Sequence, residues 1–310
     1  MIVFRASDVR HAVSPDEAYD AVRDAFVAYA RGEWAMPPKV YVANYPAGDF
    51  RAMPALGGGH ALLKWVTSFP GNPARGLPTV TGLVVLSDAE DGRLLAVLDA
   101  AAVTSLRTAA AGVLAAETLR REDASTYAVV GCGANGAETV RMLVARGVTP
   151  VVWDVDESRR RAVADEHGAR VASTAEEALG CDVVVTVTPG HEPLYRPGSL
   201  RPGQHVSLMG ADGPGKSEVA VEELRRARLF CDDWEQASHG GELAAGVAAG
   251  IVARTDVTDL GAVLAGTAAG RASPEEITLF DSTGLAIQDL AVARAAYAKA
   301  DELDLPRLDL

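Results

Sequence analysis

Lysine is scarce in this chain. Of 29 basic residues, four are lysines: Lys39, Lys64, Lys216 and Lys299. On an exposed face arginine serves equally well, but a position needing a compact ammonium, or one able to release its proton, is closed to guanidinium. Three of the four stand in segments that make poor helices: PPKV at 37–40, ALLKWVTSFPGNP at 61–73 and GADGPGKSE at 210–218. Lys64 interrupts an apolar run, where an ammonium is costly unless it is paired or faces a site. Lys39 and Arg51 add positive charge in neighbouring strand-like segments. Such a group suits a small carboxylate, with arginine offering the two-pronged grip. Lys299, in a helical tail, reads as a solvated surface residue.

A second constellation is glycine-based. Gly131, Gly133 and Gly136 form G-x-G-x-x-G directly after the apolar run TYAVV and at the head of a helical pattern. The first glycine allows a tight turn. The second lets backbone approach a pyrophosphate, which rests on the helix N-terminus. Asp154 closes the next strand 18 residues beyond Gly136, where an acid receives a ribose 2′-hydroxyl and repels a 2′-phosphate. NAD is therefore expected rather than NADP, a nucleotide-free glycine turn being the plain alternative. Asp212 follows the strand QHVSL at the rim where such sheets bind ligands, with Gly210, Gly213 and Gly215 leaving room for a cofactor; a turn-forming aspartate is its alternative. Arg107 lies on an alanine-rich helix between Ser105 and Thr108, where a solvated arginine is the alternative.

These groups need elements to position them. Residues 14–32 read as a helix capped by Ser14 with Glu17 three on, and an apolar stripe of Ala18, Val22, Ala25, Phe26 and Tyr29. Short β-rich runs fill 39–99, with DAEDG at 88–92 as a hairpin turn, and a helix spans roughly 101–120. From 126 the texture alternates strand and helix. TYAVV, PVVWD, CDVVVTVTP, QHVSLMG and ARLFCDD supply five strands of a doubly wound parallel sheet. A long helix at 286–303 closes the chain and could return to the first domain, leaving the nucleotide domain as an insert.

Composition narrows the partners. A net charge of −13 and a pI near 4.9 disfavour nucleic acid and anionic membranes. No stretch has the length of a membrane span, and MIVFRASDVR lacks a signal-peptide pattern. Cys132, Cys181 and Cys231 are odd in number and far apart, which points to a reducing, cytoplasmic setting. The six histidines have no metal-ligand spacing, so no metal is expected.

Eight segments together carry a resemblance: MPPKVYV, GDFRAMPA, LKWVTSFPGNPARGLPTV, SLRTAAAG, GCGANG, GADGPGKSEV, DDWEQASHGGE and FDSTGLAIQDLAVA. Over nearly its whole length the chain resembles the ornithine cyclodeaminase/μ-crystallin family, most closely its archaeal-type alanine dehydrogenase branch. The resemblance implies an α/β homodimer in which a Rossmann domain is inserted into an α+β dimerisation and substrate domain. The corresponding spans are 1–118, 119–285 and 286–310. It implies that Lys64 and Asp212 are catalytic, and that Lys39, Arg51 and Lys64 contact substrate. The implied cofactor positions are Thr79, Arg107, Thr108, Gly131, Gly133, Ala134, Asn135, Asp154, Thr188, Met209, Gly210, Asp212, Lys216 and Ser282. Lys39 departs from the family's arginine and Asn135 from its more usual glutamine. Arg51 stands where the ornithine enzymes carry a glutamate suited to a distal amine. The implied activity is NAD-dependent oxidation of L-alanine to pyruvate and ammonium. Ornithine cyclisation, cyclic ketimine reduction and ligand binding without turnover are the alternatives.

Overall fold

The computed structural model describes every residue except His191, Asp212, Pro214 and Leu310. The described residues form two compact units, Met1–Arg107 with Leu285–Leu310, and Thr108–Gly284. The division falls within the helix Ala100–Leu119, between Arg107 and Thr108.

In the first unit a six-stranded sheet has the order Ile2–Phe4, Leu94–Asp99, Val80–Asp88, His60–Ser68, Gly48–Gly57, Val40–Asn44. All neighbours are antiparallel except Ile2–Phe4, which runs parallel to Leu94–Asp99. The helix Pro15–Ala30 begins as its sequence predicts. The Ser14 hydroxyl accepts from the Glu17 amide at 3.3 Å and the Glu17 carboxylate accepts from the Ser14 amide at 2.8 Å. Its buried stripe of Ala18, Val22, Ala25 and Phe26 packs against a closing helix, Ala286–Tyr297, which also covers the strands Gly48–Gly57 and His60–Ser68. The closing helix is shorter than expected, with a separate 3-10 turn at Ala300–Glu302. Lys299 is not simply solvated: its ammonium pairs with Glu17 at 2.5 Å and ties the chain's end to its first long helix.

Strand alternation sets the faces. On His60–Ser68, Leu62, Lys64 and Val66 turn inward while Leu63 and Trp65 face out. Lys64 thus occupies a core position.

The second unit is built on an eight-stranded, fully parallel sheet. Its order is Val257–Asp259, Arg228–Cys231, Thr278–Asp281, His205–Leu208, Val183–Thr186, Tyr127–Val130, Val151–Trp153, Arg170–Val171. Three strands exceed the five read from sequence: Arg170–Val171, Val257–Asp259 and Thr278–Asp281. The last of these lies between two of the expected strands, pairing with His205–Leu208 and Arg228–Cys231. The chain runs outward from Tyr127–Val130, then returns to its other side as Val183–Thr186. That reversal is the switch point at which sheets of this kind bind ligands beyond the strands' carboxyl ends.

Candidate functional site

In the first unit the central feature is a buried ion group. Lys64 is 1% exposed, and its ammonium donates to both carboxylate oxygens of Asp289, each at 2.9 Å. It also donates to the Thr104 hydroxyl at 3.1 Å, and that hydroxyl donates to the Ala100 carbonyl at 2.6 Å. Asp289, fully buried on the closing helix, additionally lies 3.4 Å from the Arg107 Nε. Arg107 donates to the Gln288 side-chain oxygen at 3.4 Å. Burial pulls the Lys64 pKa down to about 8; Asp289 opposes this, while Arg107 and Lys39 add to it. The group therefore sets a buried ammonium with a lowered pKa between one carboxylate and the positive charge of Arg107 and Lys39.

Arg51 lies one pair further along the same face. Lys64 pairs with Met53 across the strands and Arg51 with Val66. Its guanidinium is held by Asp49, Nε to Oδ1 at 2.6 Å and Nη2 to Oδ2 at 3.3 Å, and it sits 5.3 Å over the Tyr41 ring. Lys39 is half-buried just before the strand Val40–Asn44. Thr79 and Arg107, both expected at the cofactor, belong to this first unit, and Arg107 stands beside Lys64's counter-ion.

The second unit holds the glycine turn. Gly131 has φ +103°, and a Cβ there would meet the Val187 carbonyl at 2.7 Å. A Cβ on Gly136 would meet the Gly131 carbonyl at 1.8 Å, so only glycine lets the helix start this close to the strand end. Around Gly133 the space is open. The helix Ala134–Ala145 begins at Gly133 with no side-chain cap, which leaves first-turn N–H groups beside Ala134 and Asn135 for an anion. Asp154 is buried and already braces the turn, accepting from the Cys132 amide at 2.6 Å and the Asp156 amide at 2.8 Å. The Thr108 hydroxyl is buried with no hydrogen-bond partner among the described residues. An open glycine cradle, an uncapped helix end, a braced acid and a waiting hydroxyl fit a dinucleotide.

Further along the rim, two acids that sequence reasoning passed over organise the expected residues. Glu218 accepts four bonds of 2.8 Å, from the Thr186 hydroxyl, the Thr188 amide and hydroxyl, and the Gly210 amide. It thereby clamps the ends of two adjacent strands, and its own amide donates to Glu242 at 2.6 Å. Asp232 accepts from the Ser282 hydroxyl at 3.1 Å and the Gly284 amide at 2.8 Å. Met209 is buried at the end of His205–Leu208, and Lys216 is half-buried in the loop before Glu218. Asp212 lies outside the described residues. A signal for Asp289 was present in the sequence, since an acid within AIQDLAVARAA is as costly as a lysine within HALLKWV unless the two meet.

Comparison with known proteins gives a consistent result. A sequence model of the ornithine cyclodeaminase/mu-crystallin family matches residues 1–304. The chain is 45% identical over 307 residues to an alanine dehydrogenase of Archaeoglobus fulgidus, covering 96% of this chain and 95% of that one. Its fold is similar to the solved structure of an archaeal alanine dehydrogenase dimer with bound NAD, at a TM-score of 0.92, 44% identity, and coverage of 97% and 96%. A Δ1-pyrroline-2-carboxylate reductase of Thermococcus litoralis, solved with NADH and L-proline, is similar at a TM-score of 0.91, 26% identity, and coverage of 97% and 98%.

Proposed function

The chain belongs to the ornithine cyclodeaminase/mu-crystallin family, and on that premise we propose that it catalyses the reversible NAD-dependent deamination of L-alanine to pyruvate and ammonium. The structural observation that carries this reading is Lys64, a fully buried ammonium whose proton is loosened by burial and by Arg107 and Lys39. The whole-chain likeness to an alanine dehydrogenase supports alanine as the substrate.

Each chemical requirement has a residue to meet it. Lys64, with Arg107 and Lys39 adding positive charge beside it, draws a substrate carboxylate. The α-amine must be neutral before its carbon can be oxidised, and Lys64, with a pKa of about 8, can take that proton. Bound NAD would supply the acceptor for the substrate's Cα hydrogen and its electron pair. Gly131, Gly133, Ala134 and Asn135 would hold its pyrophosphate, Asp154 its adenosine ribose, and Thr108, Thr188, Met209, Gly210, Lys216 and Ser282 would line it further along. Water then adds to the substrate imine, and Asp212 is the residue assigned to activate it. Thr79 remains assigned to the cofactor from the first unit. Arg107, beside Asp289, fits the substrate carboxylate better than the cofactor role expected for it.

We further infer a homodimer. The outer face of the first unit's sheet exposes Val40, Val42, Leu63, Trp65 and Leu83, an apolar surface suited to a second copy. A cytoplasmic setting is supported by three cysteines that are all free. Among the described residues no helix is long and apolar enough to cross a membrane.

The deciding measurement follows NADH with purified protein. Steady NADH formation from L-alanine is expected, and Lys64→Ala should lose at least about 100-fold in turnover while still binding NADH. Ornithine consumed without net NADH, and no turnover of alanine, would replace this reading with cyclisation. NADH binding with no turnover of any amino or keto acid would leave a binding protein.

A further inference from the structure

Asp49 and Arg51 lie two residues apart on one strand, so both side chains project from the same face, and it is the face that carries Lys64. Both are buried, at 5% and 9% exposure. The guanidinium is gripped by both carboxylate oxygens of Asp49, at 2.6 and 3.3 Å. Tyr41, directly opposite Arg51 on the neighbouring strand, lies under its cationic carbon at 5.3 Å, and the Tyr45 hydroxyl stands 3.5 Å from Asp49. The diagonal between residues on adjacent strands is about 7–8 Å, a span comparable to that from an amino acid's α-carbon to the end of a longer side chain. Arg51 is therefore within reach of a substrate side chain anchored at Lys64, and its charge is already cancelled.

We propose that Asp49 is a specificity-determining residue: by masking Arg51 it keeps the substrate's side-chain position electrically neutral. Short neutral amino acids are then taken in preference to dicarboxylic and diamino acids. This inference rests on the reading that an amino acid binds at Lys64. A masked arginine repels a distal ammonium weakly; what excludes both kinds of charged side chain is a desolvated pair with no charge to offer either.

The two halves of the pair make opposite predictions. Asp49→Asn takes away the carboxylate that grips Arg51 at 2.6 and 3.3 Å, and a substrate's second carboxylate is then drawn to the guanidinium. Arg51→Gln leaves Asp49 bare, which repels such a carboxylate. The reductive direction reads this directly, with pyruvate, ammonium, NADH and a proton giving alanine, NAD and water, and oxaloacetate, ammonium, NADH and a proton giving aspartate, NAD and water. Aspartate is quantified by chromatography, because oxaloacetate loses carbon dioxide to form pyruvate. In Asp49→Asn the ratio of kcat/KM for oxaloacetate to that for pyruvate should rise at least about tenfold, mostly through the KM for oxaloacetate. In Arg51→Gln it should fall below the wild-type ratio. An unchanged ratio in Asp49→Asn, or an equal loss on both keto acids, overturns the proposal. If Asp49→Asn does not fold, the Arg51→Gln ratio decides alone, a fall supporting the proposal and no change overturning it. Wild-type protein that fails to reduce pyruvate at all sinks the proposed function instead.

Discussion

At the scale of single residues, Lys64 is set between opposing influences, and Asp289 is the one that keeps its proton on. Burial, Arg107 and Lys39 all favour the neutral amine, while the carboxylate 2.9 Å away favours the ammonium. Replacing Asp289 by asparagine removes the largest influence that raises the Lys64 pKa, so the pKa falls below about 8. If neutral Lys64 takes the substrate's proton, the acidic limb of the kcat/KM profile moves to lower pH in Asp289→Asn. Because the chain has four lysines, selective labelling of lysine side chains gives four NMR signals, and Lys64 is assigned by its loss in Lys64→Met. A Lys64 signal that titrates at the same pH with and without Asp289 would remove the carboxylate from this role. Lys64 itself was legible in the sequence as a lysine out of place. Asp289 carried a signal without a partner and Asp49 carried none, because an acid's partner is chosen by which strand or helix packs opposite, and that is a tertiary fact.

At the scale of elements, the strongly patterned segments were readable: the capped helix, the hairpin at 88–92 and the glycine turn all have local causes. The missed strand Thr278–Asp281 has none. Four residues after a polar stretch carry no period, and its place between His205–Leu208 and Arg228–Cys231 follows from pairing alone. The Glu218 clamp was hidden for the same reason, since its four donors come from the ends of two other strands. The outer sheet face shows the reverse situation, in which alternation is plain and its meaning is not. Leu63 and Trp65 alternate with Leu62, Lys64 and Val66, so both faces of one strand are apolar. A strand of that kind fits burial on both sides. Light scattering should give twice the chain mass of 32.3 kDa, and Trp65→Glu should shift the protein toward that single mass. A monomeric wild-type protein at micromolar concentration would leave this face without a second copy.

At the scale of the whole molecule, four buried groups make folding stability depend on pH in a defined direction. Glu242 is pushed up to about 9 and Asp281 to about 8, chiefly by burial and by neighbouring acids. Asp281 Oδ1 has no hydrogen-bond partner, as befits an acid that is neutral when folded. His205, buried between Thr278 and Ser207, is held down at about 3. From about pH 6.5 to 8 the folded chain keeps the two acidic protons while the unfolded chain releases them, so stability falls as pH rises. The histidine is silent in that window, since it is neutral in both states above about 6.5 and costs stability only below it. Lys64 acts only above about 8, where the unfolded chain still holds a proton that the folded one has lost. Each acid contributes at most about 1.4 kcal/mol per pH unit, and their mutual repulsion keeps the pair from simple additivity. Glu242→Gln keeps the shape and cannot ionise. Its melting temperature should vary less than the wild type's between pH 6.5 and 8, and should exceed it at pH 8. A wild-type melting temperature that is flat across that window, or a variant that follows the wild-type slope, would show that these acids are ionised in the folded protein.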